Sequence, residues 1–272
     1  MKWMVMAGVS LAVMACSSPQ DVSAGIGLDG SDKAKEASAT EDETPVAGAD
    51  PRVIEVNGEG LSFTYEWPAK AAQIEELNAL MEEKSAAALA EYQGYVAEGM
   101  ADAKKYDYRF NPYMFGMGWE LAGEAEGLLS LAGAKSTYTG GAHGNAFYEA
   151  LVWDKAAKAV LATSDVFASP EALDLAVREP YCTKLSEMRA ERVGREMTAG
   201  TDIFASCPAL SELAIVLVSS EAGGFDQIDF VAAPYVAGSY AEGEYLVALT
   251  VTDAVVEAVK PEYRANFTTG GS

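Results

Sequence analysis

From about residue 69 to residue 104 the apolar side chains Ile74, Leu77, Met81, Ala88, Tyr92, Val96 and Met100 recur at threes and fours, with Ala and Glu filling the intervals. That spacing places them on one stripe of a helix of about ten turns. Ala and Glu are also strong helix formers. Gly94 and Gly99 are the points where such a helix would end early. A stripe of this length needs a broad apolar surface to cover, and the flanking sequence supplies strands for one. Residues 52–57 and 61–67 alternate through Val53, Leu61, Phe63 and Tyr65, with Asn57-Gly58 as a turn signal. Pro68 then suits a first helical turn.

Three aromatic-rich apolar runs follow, at 114–121, 127–138 and 145–153. They read as an antiparallel meander, with Asp154 to Lys158 as a hairpin tip and a return over 159–162. Thr163-Ser164-Asp165 resembles a capping cluster. A second helix is expected from Pro170 to about Glu196, broken or re-capped at Glu179-Pro180, with Leu173, Val177, Leu185 and Met188 on its buried face. Strands are expected at 212–219, 225–231 and 244–251, and a short helix from Asp253 to Val259 that Pro261 stops. The fold class is α+β: antiparallel sheets, a long N-terminal amphipathic helix and a second helix packed on them, in two small subdomains.

Charge narrows the function classes. The chain of 272 residues carries 19 Lys and Arg against 41 Asp and Glu, a formal net charge of −22. Nothing in that balance would neutralise a run of phosphates, so a nucleic-acid partner is not expected. A basic patch for anionic lipid is disfavoured for the same reason. With one histidine in the chain, metal sites built on two or more are excluded, and no cofactor is expected.

The N-terminus is Met1-Lys2-Trp3, an apolar run from Met4 to Ala15, and then Cys16. The run is about a dozen residues, too short for a mature span, and reads as a signal peptide over 1–15. Val13-Met14-Ala15-Cys16 resembles the bacterial lipobox, in which the cysteine is lipidated; the alternative is a secreted chain whose Cys16 is cut away or left free. The lipidated reading makes the N-terminal lipid the only membrane attachment. With Ser17 next, it points to a cell-envelope lipoprotein on the periplasmic face of the outer membrane. Residues 16–50 are rich in Ser, Gly, Ala, Asp and Glu without aromatics, an acidic tether expected to be disordered. Cys182 and Cys207 remain as an even pair, expected to form a disulfide that closes a loop of about 25 residues and stabilises by roughly 3 kcal/mol. Two buried free thiols are the alternative.

Two loops hold the candidate site residues. The first is Tyr138-Thr139-Gly140-Gly141-Ala142-His143-Gly144-Asn145. Its glycines require unusual backbone angles or a close approach, and the chain's one histidine lies among them. The loop either presents His143 and Asn145 to a ligand or is a tight connection with a backbone-bonded imidazole. Ser136 and Thr139 are near but lie in no nucleophile-elbow pattern, and no Gly-Lys-Ser/Thr follows to make a phosphate loop. The second loop, Ala232 to Gly243, carries Tyr235 and Tyr240, which would stack on a sugar, form an interface or cap the core. Among the carboxylates, Asp226 and Asp229 flank a strand start, and Glu242 and Glu244 lie two apart in an extended segment and so face the same way. Their simplest reading is a solvated acidic face.

The first loop together with Ala233-Pro234-Tyr235-Val236-Ala237-Gly238 resembles the RsiV-like extracytoplasmic domain family. That domain type forms the outer part of the lysozyme-responsive anti-sigma factor RsiV and accompanies the deacetylase domain of PdaC. The resemblance implies an N-terminal part at about 51–135, an RsiV-like part at 136–265 and a disordered tail at 266–272. RsiV also has a sigma-binding segment and a spanning helix that this sequence lacks, and the PdaC deacetylase domain needs several histidines. What the resemblance implies is therefore a binding role toward peptidoglycan or a lysozyme-like protein. Tyr138, Gly140, Gly141, His143, Asn145, Tyr235 and Tyr240 are the ligand-binding candidates, with no catalytic residue expected. A cofactor-free hydrolase of cell-wall glycan, using His143 or a carboxylate pair, and a purely structural envelope lipoprotein are the alternatives.

Overall fold

The computed structural model describes residues 50–198, 200–220 and 223–270. The signal peptide, Cys16 and all but the last residue of the tether lie outside the described residues.

The expected alternation produces a hairpin of β1 (Arg52–Gly58) and β2 (Leu61–Trp67). Asn57 and Gly58 belong to β1, and the turn itself is Glu59-Gly60. Gly60 takes a φ of +90°, and a Cβ there would meet Met100 at 2.8 Å. The glycine thus lets the turn tuck under the end of the long helix.

Chain reversal after β2 is helical in two pieces. A short helix, α1 (Ala69–Ala72), ends at Gln73, and Ile74 is extended with a ψ of 107°. The long helix, α2 (Glu75–Lys105), then runs through both Gly94 and Gly99. It has Glu75 and Glu76 in its first turn and Lys104 and Lys105 in its last, which suits the helix dipole. Gly99 is a point of close approach, since a Cβ there would lie 2.5 Å from the Tyr113 hydroxyl. The helix buries Leu77, Met81, Ser85, Val96 and Ala103.

Because α1 and α2 carry the chain back across the sheet, β3 (Tyr113–Glu124) pairs parallel with β2. The remaining partners are antiparallel: β4 (Leu128–Tyr138), β5 (Asn145–Asp154) and β6 (Ala159–Leu161), completing a six-stranded sheet in sequence order. One face buries Phe63, Tyr65, Trp67, Phe115, Met117, Trp119, Leu129, Leu131, Leu151 and Trp153 against α2. Gly133 lets Trp119 lie across β4: a Cβ there would be 2.9 Å from the indole. The Trp119 Nε1–H donates to the Tyr65 hydroxyl at 3.0 Å.

Strand β4 is buried at four successive residues from Leu128 to Leu131, so both its faces are covered there. Leu129 and Leu131 join the core under α2, whereas Leu128 joins a second core. In β5, Val152 belongs to that second core, and its neighbours Leu151 and Trp153 to the first. The division expected at 135/136 therefore falls inside a strand of one continuous sheet.

The second core is closed by a three-stranded antiparallel sheet, β7 (Ala214–Val218), β8 (Gln227–Ala232) and β9 (Tyr245–Thr250). Over it lies α3 (Pro170–Val193), whose buried Leu173, Val177, Tyr181, Leu185 and Arg189 fall at every fourth residue. The capping oxygen is that of Ser169, which accepts from the Ala172 N–H at 3.1 Å; Thr163 to Val166 form a separate 3-10 turn. No break occurs at Pro180. The helix gives up one hydrogen bond there, but the apolar stripe continues on both sides. That stretch is held from outside by the Cys182–Cys207 disulfide and by Arg178, which donates to the Pro208 carbonyl at 2.6 Å.

Helix α4 (Asp253–Ala258) and a 3-10 turn, Pro261–Asn266, complete the second core. The tail expected to be disordered from 266 is folded through 270. Asn266 and Phe267 are buried, Phe267 bridges Phe225, and the Gly270 N–H donates to the Val251 carbonyl at 3.1 Å. Residues 271 and 272 lie outside the described part. Among the described residues, no helix is long and apolar enough to cross a membrane.

Candidate functional site

The loop joining β4 to β5 runs from Thr139 to Gly144. Gly140 adopts a φ of +83°, and a Cβ on Gly144 would meet the Thr137 carbonyl at 3.0 Å. These two glycines make the tight reversal that carries His143 outward. The imidazole is exposed, and its Nδ1 lies 2.8 Å from the Gly144 carbonyl. A carbonyl only accepts, so Nδ1 carries the proton, and in the neutral ring Nε2 is left as an acceptor.

The second loop comes to meet it. The His143 ring stacks on Tyr240 with centroids 3.9 Å apart and planes at 26°. Tyr240 in turn lies 5.9 Å from Tyr235, at 32°. Three rings from two distant segments therefore form one row. Tyr235 is 55% exposed and has a φ of +73°, a conformation that a bulky residue adopts only when its surroundings impose it. Here the imposing contacts are a tight reversal, in which the Tyr235 N–H donates to the Gly238 carbonyl at 2.9 Å, and the anchoring of that loop from below.

Of the anchors, Arg189, Arg192 and Tyr245 lie outside the two candidate loops, whereas Ser239 and Glu242 belong to the second loop itself. Arg189 is 3% exposed and donates from Nε to the Ala237 carbonyl at 2.7 Å and from Nη1 to the Ser206 carbonyl at 3.1 Å. Burial pulls its guanidinium below the usual arginine range, although the nearby Tyr181, Tyr245 and Glu242 oppose this. Arg192, one turn on, donates to the carbonyls of Glu242 and Glu244, each at 2.5 Å, and its guanidinium lies 4.1 Å over the Tyr245 ring. The Glu242 carboxylate accepts from the Ser239 N–H at 2.9 Å, the Ser239 hydroxyl at 2.7 Å and the Tyr245 hydroxyl at 2.6 Å. Burial works to raise this carboxyl, but the Tyr245 and Ser239 hydrogen bonds and the charge of Arg192 hold it below the ordinary range. Its partner Tyr245 is pushed up to about 12, by burial first and by the carboxylate second. Two signals for these anchors were present in the sequence: Arg189 falls on the every-fourth-residue stripe of α3, and Ser239 with Glu242 has capping-box spacing.

The other candidates are placed apart. Tyr138 and Asn145 sit in β4 and β5 at the base of the loop, and Gly141 faces open space. Glu242 and Glu244 do not lie in an extended segment. Glu242 ends a 3-10 turn, Gly243 follows with a φ of +74°, and Glu244 lies near the buried Tyr148 hydroxyl, whose pKa burial raises. Asp226 accepts from the Ser220 N–H at 2.9 Å, and Asp229 accepts from the Gln227 amide at 2.7 Å while burial raises its carboxyl. The two members of each pair take different partners. Cys182 and Cys207 are bonded, with Cα atoms 5.6 Å apart. Among the described residues no group of three His, Cys, Asp or Glu side chains is placed to hold a metal.

Residues 54–146 match the sequence profile of the family described as deacetylase PdaC. None of the curated proteins compared with the chain matches it. Among solved structures, a DUF3298 family protein from Pseudomonas aeruginosa PAO1 is similar at 15% identity and a TM-score of 0.46, over 78% of this chain and 93% of that one. A DUF3298 member from Bacteroides fragilis NCTC 9343 is similar at 17% identity and a TM-score of 0.44, over 78% and 94%. In sequence, then, the chain is similar to the PdaC family over residues 54–146, the stretch that carries the long helix and the His143 loop.

Proposed function

We propose that this is a non-catalytic binding protein of the bacterial envelope, held to a membrane by lipid on Cys16, and that its row of three rings is the contact surface for a basic, lysozyme-like protein. The observation that carries this reading is the stacking of His143 on Tyr240, with the exposed Tyr235 beside them. Aromatic side chains held rigid and left half in water suit the centre of a protein interface, because little conformational freedom is lost when they are covered. A buried arginine, a second arginine and a triply bonded glutamate fix the loop in advance. The net charge of −22 would draw a basic partner and speed encounter. The recorded hydrogen bond of the imidazole goes to a backbone carbonyl and one of its faces is taken by Tyr240, so both contacts position the ring.

The test is a calorimetric titration of the purified protein with lysozyme at low and moderate salt. Saturable 1:1 binding that survives moderate salt, and that Tyr240→Ala weakens by about tenfold or more, supports the proposal. Heat that vanishes with salt, no heat at all, or hydrolysis of cell-wall glycan that His143→Ala abolishes would each overturn it.

A further inference from the structure

Helix α2 crosses the six-stranded sheet diagonally. Near its start Glu76 is bonded to Lys158 at the β5–β6 turn, and near its end Met100 lies over Gly60 in the β1–β2 turn. The helix packs chiefly on β2 and β3, and Lys135 and Thr137 of β4 with Phe147 and Glu149 of β5 line an opening beside it. Between helix and sheet lies a cleft of about 490 Å³. One wall is Lys84, Glu91 and Tyr95 of α2; the other is Lys135, Phe147 and Glu149 of β4 and β5.

We propose that this cleft is a binding site for a neutral saccharide. Three observations carry the assignment. First, Tyr95 and Phe147 are 43% and 44% exposed, one on each wall, although both are large aromatic residues next to a core. Lys135 Nζ lies 5.1 Å from the centre of the Phe147 ring and Tyr92 meets Tyr95 at 5.5 Å and 75°, so both rings are held in place while nearly half exposed; aromatic surface of this kind in a cleft suits the C–H face of a sugar ring. Second, the lining holds two lysines and two glutamates, whereas the whole chain has 41 acidic against 19 basic residues. The cleft is thus locally balanced, which gives no advantage to a phosphate, a uronic acid or a polyamine. Side chains of both signs can instead donate to and accept from vicinal hydroxyls. Lys135 is already paired with Glu149 at 3.2 Å, and Glu91 accepts from the Tyr95 hydroxyl at 2.6 Å, so these groups are oriented before a ligand arrives.

Third, the floor has a hydroxyl with a proton to give. Tyr65 is 3% exposed, lines the cleft and already accepts from the Trp119 Nε1–H at 3.0 Å. Its own hydrogen has no acceptor among the hydrogen bonds of the described residues. Burial raises its pKa, so the proton stays in place at neutral pH. The site shares no residue with the row of three rings and does not depend on what that row binds.

The experiment titrates the purified full-length protein with chitotetraose, cellotetraose and tetragalacturonate, following heat and tryptophan fluorescence, since Trp119 is bonded to the floor of the cleft. The expected result is saturable binding of at least one neutral tetramer, with tetragalacturonate weaker by about tenfold or more. Tyr95→Ala, at an exposed helix position, and Phe147→Ala should each weaken binding by about tenfold with the melting temperature preserved. His143→Ala should leave it unchanged. The proposal fails if no neutral tetramer binds up to about 10 mM, if the uronate binds equally well, or if Tyr95→Ala leaves the affinity intact.

Discussion

The six-stranded sheet packs six large aromatic side chains, Phe63, Tyr65, Trp67, Phe115, Trp119 and Trp153, under one long helix, and no disulfide ties that half together. The three-stranded sheet has a core dominated by Val, Leu and Phe, a helix that tolerates an internal proline, one disulfide and a buried arginine. The difference follows from size. A broad sheet can bury enough apolar area to hold a helix by packing alone, whereas three strands need support from outside their own ladder. The lesson concerns function too. The ring row rests partly on the side that is fixed by discrete ties, and the saccharide cleft opens on the side that is fixed by packing. The two candidate sites should therefore fail in response to different perturbations.

Trp119→Ala should give the largest effect. It removes a buried indole and the hydrogen bond to Tyr65, and is expected to cost about 3–5 kcal/mol in urea unfolding. If the indole lost no more than an exposed residue does, the packing account of the larger sheet would be wrong. Replacing both Cys182 and Cys207 by serine should cost about 3 kcal/mol. Hydrogen exchange should locate the loss in α3 and β7–β9 and leave β2–β4 protected. Equal loss in both sheets would erase the contrast.

Acid should act on the same ties. Glu242 has a folded-state pKa below its ordinary value, so its contribution is present at pH above the unfolded value and is lost as pH falls through the folded one. Glu242→Gln should flatten that part of the pH–stability profile, which a series of melts between neutral and acid pH would show; an unaltered profile would mean that the carboxylate is not a tie. The smallest effect is expected from Tyr235→Gly. Glycine relieves the positive φ and should raise stability by up to about 1 kcal/mol. It should also weaken partner binding in the lysozyme titration. A variant that is stabilised and still binds fully would remove Tyr235 from the contact surface.

Much of this was legible in the sequence because it depends on local periodicity. The strands 145–153 and 244–251, the long helix and the meander all follow from spacing alone. The elements that were misread involve contacts between distant residues. Pro180 signals a break unless one knows that the stripe through Tyr181, Leu185 and Arg189 stays buried. Phe267 looks like part of a tail until Phe225 is placed beside it. The two loops could be marked as unusual from their glycines and tyrosines, but that His143 lands on Tyr240 is a property of the assembled chain. The saccharide cleft left no motif at all. Its residues come from a helix and four strands, which only the assembled fold brings together.

Strand β4 sends alternate residues into different cores, Leu128 to one and Leu129 and Leu131 to the other. This limits how relatives of this chain can diverge. A single inserted or deleted residue within β4 would exchange the two sets and bring Ser130 into the aromatic core. Length changes must then collect in the hairpin loops, where no face is inverted. The loop from Thr139 to Gly144 is one of those places, so the segment that carries His143 is also among the segments freest to lengthen, shorten and acquire a new partner.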